Sequence, residues 1–243
     1  MSKEYESLRT HIADILACTT GQQVFDGLWK AVRPFNFSSS LIARVSGSTV
    51  DGTGADTYFT FNNCPEWWEK TYRDRNYVHI DPFAQMGLKK TGPYRWSECL
   101  DNLTPAQEAM VADSKAHGLN FGINFPMHTS KGGLGVVLFG AEKNFDFSPD
   151  DLIFLEILAR YSYDQICAIL GEPSEIAQLT LSERERDILT LVAQGKTNWE
   201  IGAILNLSEY SVRDYLKDVS KRMQTSNRTH SVTRAIQLGL ILP

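Results

Sequence analysis

The sequence predicts two domains of different class. Residues 1–170 read as an α+β domain, an antiparallel sheet between helices in an α-β-α sandwich. Residues 181–243 read as an all-α, four-helix domain built on a helix-turn-helix, with 171–180 as a polar linker. Three observations carry this. Helical patterns stand before and after a few strand patterns that are mostly adjacent in sequence, an order that favours antiparallel pairing over βαβ crossovers. An apolar helical pattern (Leu152, Phe154, Leu155, Ile157, Leu158, Tyr161) runs into Gly171 and then Pro173, both helix-stopping signals. Everything after that point is short and helical.

Residues 3–17 and 21–33 read as amphipathic helices. SSLIARVSG (39–47) and DTYFTFN (56–62) are rich in β-branched and aromatic residues, as strands are. Residues 65–75 and 104–117 read as helices. NFGINFPMH (120–128) and LGVVLFGAE (134–142) read as strands joined by TSKGG, whose Gly-Gly pair suits a hairpin turn. A long helix over 148–170 closes the domain. Beyond the linker, Ser182-x-x-Glu185 is a capping box opening a helix that ends at Gly195. Thr197-x-x-Glu200 is a second capping box, with its helix running through Leu205. Ser208 caps a third helix to about Gln224, and Asn227 starts a fourth that ends near Gly239.

Composition excludes several classes. At 42% hydrophobic and 22% charged residues, the 243-residue chain is globular rather than disordered. No run approaches the length of a membrane-spanning helix, and the N-terminus lacks the apolar core of a secretory signal. Cys18, Cys64, Cys99 and Cys167 form no C-x-x-C pair, so zinc and redox motifs are not expected. A cytoplasmic protein without metal or membrane is expected. There is no Gly-rich phosphate loop and no G-x-S-x-G elbow. His79 or Cys64 as a catalytic group would stand without a partner, so an enzyme is not expected. The net charge of −5 belongs wholly to residues 1–171, whereas 208–236 carries six basic against three acidic residues. A nucleic-acid face would have to be local.

That local excess lies on the third helix of the second domain. Val212, Leu216, Val219 and Met223 fall on one apolar stripe. The opposite face carries Tyr210, Ser211, Arg213, Asp214, Lys217 and Lys221. A basic helix face is often only a solvated surface. Here it follows two capping boxes at helix-turn-helix spacing, which points to double-stranded DNA. Arg213 and Lys217, one turn apart near the helix start, would reach guanine O6 and N7 in the major groove. Lys221, Arg222 and Arg228 would sit near phosphates. The stretch LTLSERERDILTLVAQGKTNWEIGAILNLSEYSVRDYLKDVSKRMQTSNRTHSVTRAIQLGLI resembles the DNA-binding domain of the LuxR family throughout. Glu185, Leu189 and Gly195 match its spaced signature, and GKTNWEIG and SNRTHSV its wording. EYSVRDYL departs from the family's usual Thr, Lys, Phe, His pattern, which bears on base preference. The same tail follows receiver domains, but the chain opens with a helical pattern where a receiver has a strand and paired acids.

The signal is read from residues 67–82, WWEKTYRDRNYVHIDP. Trp68 and Tyr72 share a helix face. Asp81-Pro82 makes a good N-cap with Pro at the first helical position, a purely structural reading. Trp67, Trp68 and Trp96 would equally serve as core. With Trp96 and Gly122 added, however, the spacing resembles the acyl-homoserine lactone binding domain of quorum-sensing LuxR proteins. The resemblance implies that the Trp68 indole N–H donates to the lactone carbonyl and the Tyr72 hydroxyl to the acyl carbonyl. It implies that Asp81 accepts from the ligand amide and Trp96 packs on the lactone ring. Gly122 would permit close packing, and Pro82 would shape the turn. The chemistry agrees: a neutral amide with two carbonyls needs one acceptor and two donors in a dry site. Leu41, Ala43, Phe59, Phe83 and Val137 are candidate lining for the acyl chain, with core packing the competing role. Leu138 stands where many members have Ser or Thr, so Tyr72 would carry the acyl carbonyl alone. Straight, branched and aryl acyl groups all fit this reading.

Together these features imply a ligand-responsive transcription factor. It would act as a homodimer on an inverted-repeat operator, with RNA polymerase a candidate partner. The competing expectation is an orphan regulator that answers a non-lactone compound or none.

Overall fold

Strand alternation organises the first domain. β1 (Ser39–Ser46), β2 (Asp56–Asn62), β3 (Tyr94–Arg95), β4 (Phe121–His128) and β5 (Leu134–Ala141) pair antiparallel in the order β2-β1-β5-β4-β3. The computed structural model describes residues 3–46, 56–128, 134–171 and 180–242. The expected TSKGG turn lies outside them, as does most of the 171–180 linker. The chain divides into two compact units, the first ending at Gly171.

One face of the sheet presents Ile42, Ile123, Phe125, Met127, Val137 and Phe139 to α1 (Lys3–Leu16), α2 (Gly21–Val32) and α6 (Pro149–Leu170). These helices are specified by caps and periodicity. α2 opens on a Thr20–Gln23 capping box and buries Val24, Phe25, Leu28, Ala31 and Val32. α6 opens on Ser148, Pro149 and Asp151, and its chain exit is Gly171 at φ 70°. It buries Leu155, Leu158, Ala159, Tyr163 and Ile166.

The other face carries a smaller aromatic layer with α3 (Glu66–Asp74), α4 (Pro82–Gly87) and α5 (Pro105–Ala116). Trp68, Tyr77, Phe83, Tyr94, Trp96, Met110 and Val111 are its buried members. Trp96 lies against the sheet at Gly122, where a Cβ would stand 2.2 Å from the indole Cε2. β3 and the 3-10 turns Arg33–Phe35, Tyr77–His79 and Trp96–Cys99 were not foreseen. They are too short to show periodicity.

In the second unit α7 (Glu183–Ala193), α8 (Asn198–Leu205), α9 (Glu209–Arg222) and α10 (Arg228–Gln237) surround Ile188, Leu189, Ile201, Val212, Val219, Met223 and Ala235. Both capping boxes form, Ser182 with Glu185 and Thr197 with Glu200. Ser208 caps α9 by accepting from the Ser211 N–H at 2.9 Å. The α8–α9 turn closes on Gly202, where a Cβ would meet the Leu207 carbonyl at 2.6 Å.

Glu185 does more than cap. It accepts from the Ser182 N–H at 2.8 Å and pairs with Arg222 at 2.5 Å, and Arg222 also donates to the Thr180 carbonyl. Burial opposes ionisation of Glu185, but the bonds from Arg222 and Ser182 outweigh it and hold the carboxyl below its ordinary value of 4.5. A depressed carboxyl adds stability above its unfolded pKa and loses it as pH falls through the folded one. The second domain should therefore weaken progressively below pH 4.5. Glu185→Gln should flatten that slope and cost about 1–2 kcal/mol at neutral pH, read by denaturant unfolding across pH. In the first domain, Gly122→Ala should cost about 1–3 kcal/mol by overpacking against Trp96. Urea unfolding with wild-type stability would show that Trp96 is free to shift.

Candidate functional site

The polar centre of the aromatic layer is Asp81, and its two oxygens have separate partners. Oδ1 accepts the N–H groups of Phe83 at 2.8 Å and Ala84 at 3.2 Å, capping α4, with Pro82 at the first helical position. Oδ2 accepts the Tyr72 hydroxyl at 2.8 Å. The structural and functional roles considered for Asp81 are therefore compatible, one per oxygen. Burial pushes the Asp81 carboxyl above its ordinary range, and the bonds from Tyr72, Ala84 and Phe83 only partly offset this. Burial, then the Asp81 charge, pushes the Tyr72 phenol well above its own.

α3 brings Trp68 and Tyr72 together, ring centroids 5.9 Å apart and edge-on. Asn76, at φ 52°, turns the chain out of α3 and into the Tyr77–His79 turn. The Tyr77 ring then packs on both Trp68 and Tyr72. Its hydroxyl donates to Asp113 of α5, which also binds Arg75. Gln107 of α5 donates to the Ile80 carbonyl at 3.0 Å. Sequence reasoning missed Tyr77, Gln107 and Asp113. They are ordinary polar residues of a turn and a helix, and nothing in their spacing marks them.

Trp96 is buried as expected, but the lactone-contact expectation meets an obstacle. Gly122 covers one indole face, and Phe83 stacks on the indole with centroids 4.6 Å apart and planes at 16°. The indole N–H is taken by Asn124 Oδ1 at 2.8 Å. A ligand ring would meet the indole edge or Phe83. Asn124 was also missed, although an Asn inside the apolar run NFGINFPMH was a signal that could have found it.

The sheet separates the lining candidates. Leu41, Leu138 and Asn124 are cross-strand neighbours and share the face that bears Trp96. Leu138 packs on the aromatic layer, and Ala43, two residues beyond Leu41, lies on the same side. Val137 does not line this site. It is wholly buried among the α1, α2 and α6 residues, because neighbours in a strand face opposite ways. The Phe59 side chain lies outside the described residues; its backbone pairs with Arg44.

On α9, Val212, Val219 and Met223 are buried and Leu216 packs beside them. Tyr210, at 68% exposed, and Arg213, Lys217 and Lys221 face solvent. Arg213 makes a loose pair with Glu209 at 3.8 Å. Ser211 is tied to the cap, its hydroxyl 2.8 Å from that of Ser208. Two phosphate candidates also make bonds within the domain. Arg222 pairs with Glu185 and donates to the Thr180 carbonyl, while its side chain stays 45% exposed. Arg228 donates to the Lys196 carbonyl at 2.7 Å, fixing α10 to the loop before α8.

Among the described residues no group of His, Cys, Asp and Glu could hold a metal, and no helix is long and apolar enough to cross a membrane. The Cys64 thiol is pushed up to about 11 by burial, which disfavours its thiolate.

Two family matches cover most of the chain. The autoinducer binding domain matches residues 22–166, and the luxR family of bacterial regulatory proteins matches residues 179–235. Over 182 residues, 74% of each chain, the sequence is 31% identical to the HTH-type quorum sensing-dependent transcriptional regulator RpaR of Rhodopseudomonas palustris. It is 29% identical over 181 residues, again 74% of each, to the transcriptional activator protein BjaR1 of Bradyrhizobium diazoefficiens. Escherichia coli SdiA shares the fold, with a TM-score of 0.77 over 98% of this chain and 99% of that one at 24% identity. The chain thus belongs to the LuxR family of quorum-sensing transcriptional regulators, not enzymes, and joins an autoinducer-binding domain to a DNA-binding helix-turn-helix.

Proposed function

We propose that the autoinducer is an acyl-homoserine lactone and that the liganded protein is a homodimer reading an inverted-repeat operator. The observation that carries the ligand reading is the Tyr72–Asp81 pair inside an aromatic layer. A secondary amide offers both groups a replacement, its N–H to Asp81 Oδ2 and its carbonyl to the Tyr72 hydroxyl. Trp68 supplies an indole N–H for the lactone carbonyl, and Trp96 with Phe83 walls the ring. The acyl group lies along Leu41, Ala43 and Leu138. Residues 1–170 form the sensor, 171–180 the linker and 181–243 the DNA-binding domain, in a cytoplasmic protein. Arg213 and Lys217 read bases while Lys221 contacts phosphate. Trp199 and Ile204 leave exposed apolar surface on α8 for a protein partner such as RNA polymerase.

One observation favours a second reading. Tyr72 and Asp81 satisfy each other without ligand, as an orphan regulator would need. SdiA, which shares the fold, has been solved with octanoyl-rac-glycerol, so a non-lactone ligand is the specific competitor.

Thermal unfolding against straight, branched and aryl acyl-homoserine lactones separates the two. A ligand at about 100 times its Kd adds roughly 2.7 kcal/mol. That raises the Tm of a chain this size by about 2–4 °C. The shift should appear with one acyl class and vanish in Asp81→Asn. No shift with any lactone, from protein that still binds DNA, selects the orphan reading. For the DNA face, Arg213→Ala should cost about 1–3 kcal/mol and relax preference at one base, whereas Lys221→Ala should weaken all sequences evenly. Binding to an operator and its single-base variants at two salt concentrations checks both.

A further inference from the structure

The buried polar groups of the sensor layer are joined in one chain. The Trp96 indole N–H donates to Asn124 Oδ1 at 2.8 Å, and Asn124 Nδ2 donates to the Tyr94 oxygen at 3.1 Å. The Tyr94 hydroxyl donates to the Phe83 carbonyl at 2.7 Å. The Phe83 N–H in turn donates to Asp81 Oδ1 at 2.8 Å, and Asp81 Oδ2 accepts from Tyr72. The direction of every bond is determined. The Phe83 carbonyl can only accept, so Tyr94 spends its one proton there and must accept from Asn124. Asn124 therefore turns its nitrogen to Tyr94 and its oxygen to the indole, which can only donate.

The chain links parts of unequal rigidity. Asn124 and Tyr94 sit on β4 and β3, paired directly across the sheet. Asp81 and Phe83 sit at the start of α4, a six-residue helix too short to hold its own position. We propose that Asn124 and Tyr94 are positioning residues for ligand recognition: through Trp96 and the Phe83 peptide they set the gap between the Trp96–Phe83 stack and the Asp81 carboxylate, and with it the size of head group the pocket accepts. This deepens the lactone reading and rests on it. Asn124 is 2% exposed and Tyr94 1% exposed, so neither is present for solubility. An apolar side chain at 124 would fill the layer without needing partners, but it would orient nothing. In the proposed complex neither residue contacts the ligand amide; each acts through Trp96 or Phe83, which wall the head group.

The test uses full-length protein carrying Asn124→Leu or Tyr94→Phe. Without ligand, hydrogen exchange of the Trp96 indole N–H is followed by NMR, with Trp96→Phe for assignment. Exchange should be at least about tenfold faster in Asn124→Leu and measurably faster in Tyr94→Phe, as expected when a buried N–H loses its acceptor or that acceptor loses its anchor. With ligand, Kd is measured for N-hexanoyl homoserine lactone and for N-hexanoyl homocysteine thiolactone, whose ring is enlarged by sulfur. Wild type should prefer one ring, and the ratio should fall about tenfold toward unity in Asn124→Leu. Simple destabilisation would scale both affinities and leave their ratio in place. Unchanged exchange, or an unchanged ratio in a folded variant, overturns the proposal. If Asn124→Leu fails to fold, Tyr94→Phe, which removes a single oxygen, carries the test. Wild type that binds neither compound counts against the lactone reading, and the exchange rates then decide the chain by themselves.

Discussion

The sensor domain depends on a single carboxylate with two tasks. Asp81 Oδ1 starts α4 and so places Phe83. Its Oδ2, 2.8 Å from the Tyr72 hydroxyl, is the acceptor turned toward α3. Either task alone would be ordinary. Combined, they make the cap of a short helix and the recognition group of the proposed pocket inseparable. Burial disfavours the charged form, and only the three hydrogen bonds keep it from shifting further. In the proposed complex, Tyr72 can donate to the ligand carbonyl only by giving up Asp81, because its hydroxyl has a single proton. Recognition in such a site is an exchange of partners, in which a ligand lacking an N–H or a carbonyl leaves a buried group unpaired.

Around that carboxylate, the sheet does double duty. Because side chains alternate, β4 and β5 pack Ile123, Phe125, Val137 and Phe139 into the three-helix core and present Gly122, Asn124 and Leu138 to the aromatic layer. Rigidity supplied by one face is thereby available to the other. Gly122 lets the indole lie on the sheet itself, so Trp96 is located by the strand backbone. α5 restrains the opposite side, with Gln107 on Ile80 and Asp113 on Tyr77.

The legible parts of the sequence were those in which one residue has one physical job. Capping boxes at Thr197 and Ser182, the stop at Gly171 and the alternation of the strands place nearly every long element, because caps and periodicity are local. That Asp81, Trp68 and Tyr72 lie in one layer was expected through a family resemblance, and the structure brings them together. Val137 was not legible, because both faces of this sheet are apolar and hydrophobicity alone cannot tell layer from layer. Only register separates it from Leu138. Asn124 and Tyr94 escaped because their role lies in partners far away in sequence. The Arg222–Glu185 pair escaped for the same reason, since a basic residue on a helix reads alike with or without a carboxylate distant in sequence.

The DNA-binding domain uses part of its positive charge in its own fold. Arg222 pairs with Glu185 and Arg228 donates to the Lys196 carbonyl, whereas Arg213, Lys217 and Lys221 of α9 face solvent. Glu209, Asp214 and Asp218 lie on the same helix. Affinity for DNA is carried largely by counterion release, and one recognition helix with three such cations supplies only part of it. Two copies on one operator would add their contacts, while the second binds at a high effective concentration. The sparse charge of the recognition helix thus supports the proposed dimer on physical grounds. In that dimer ligand would have a simple point of control, because whatever promoted pairing of the sensor domains would join two DNA contacts into one stronger one.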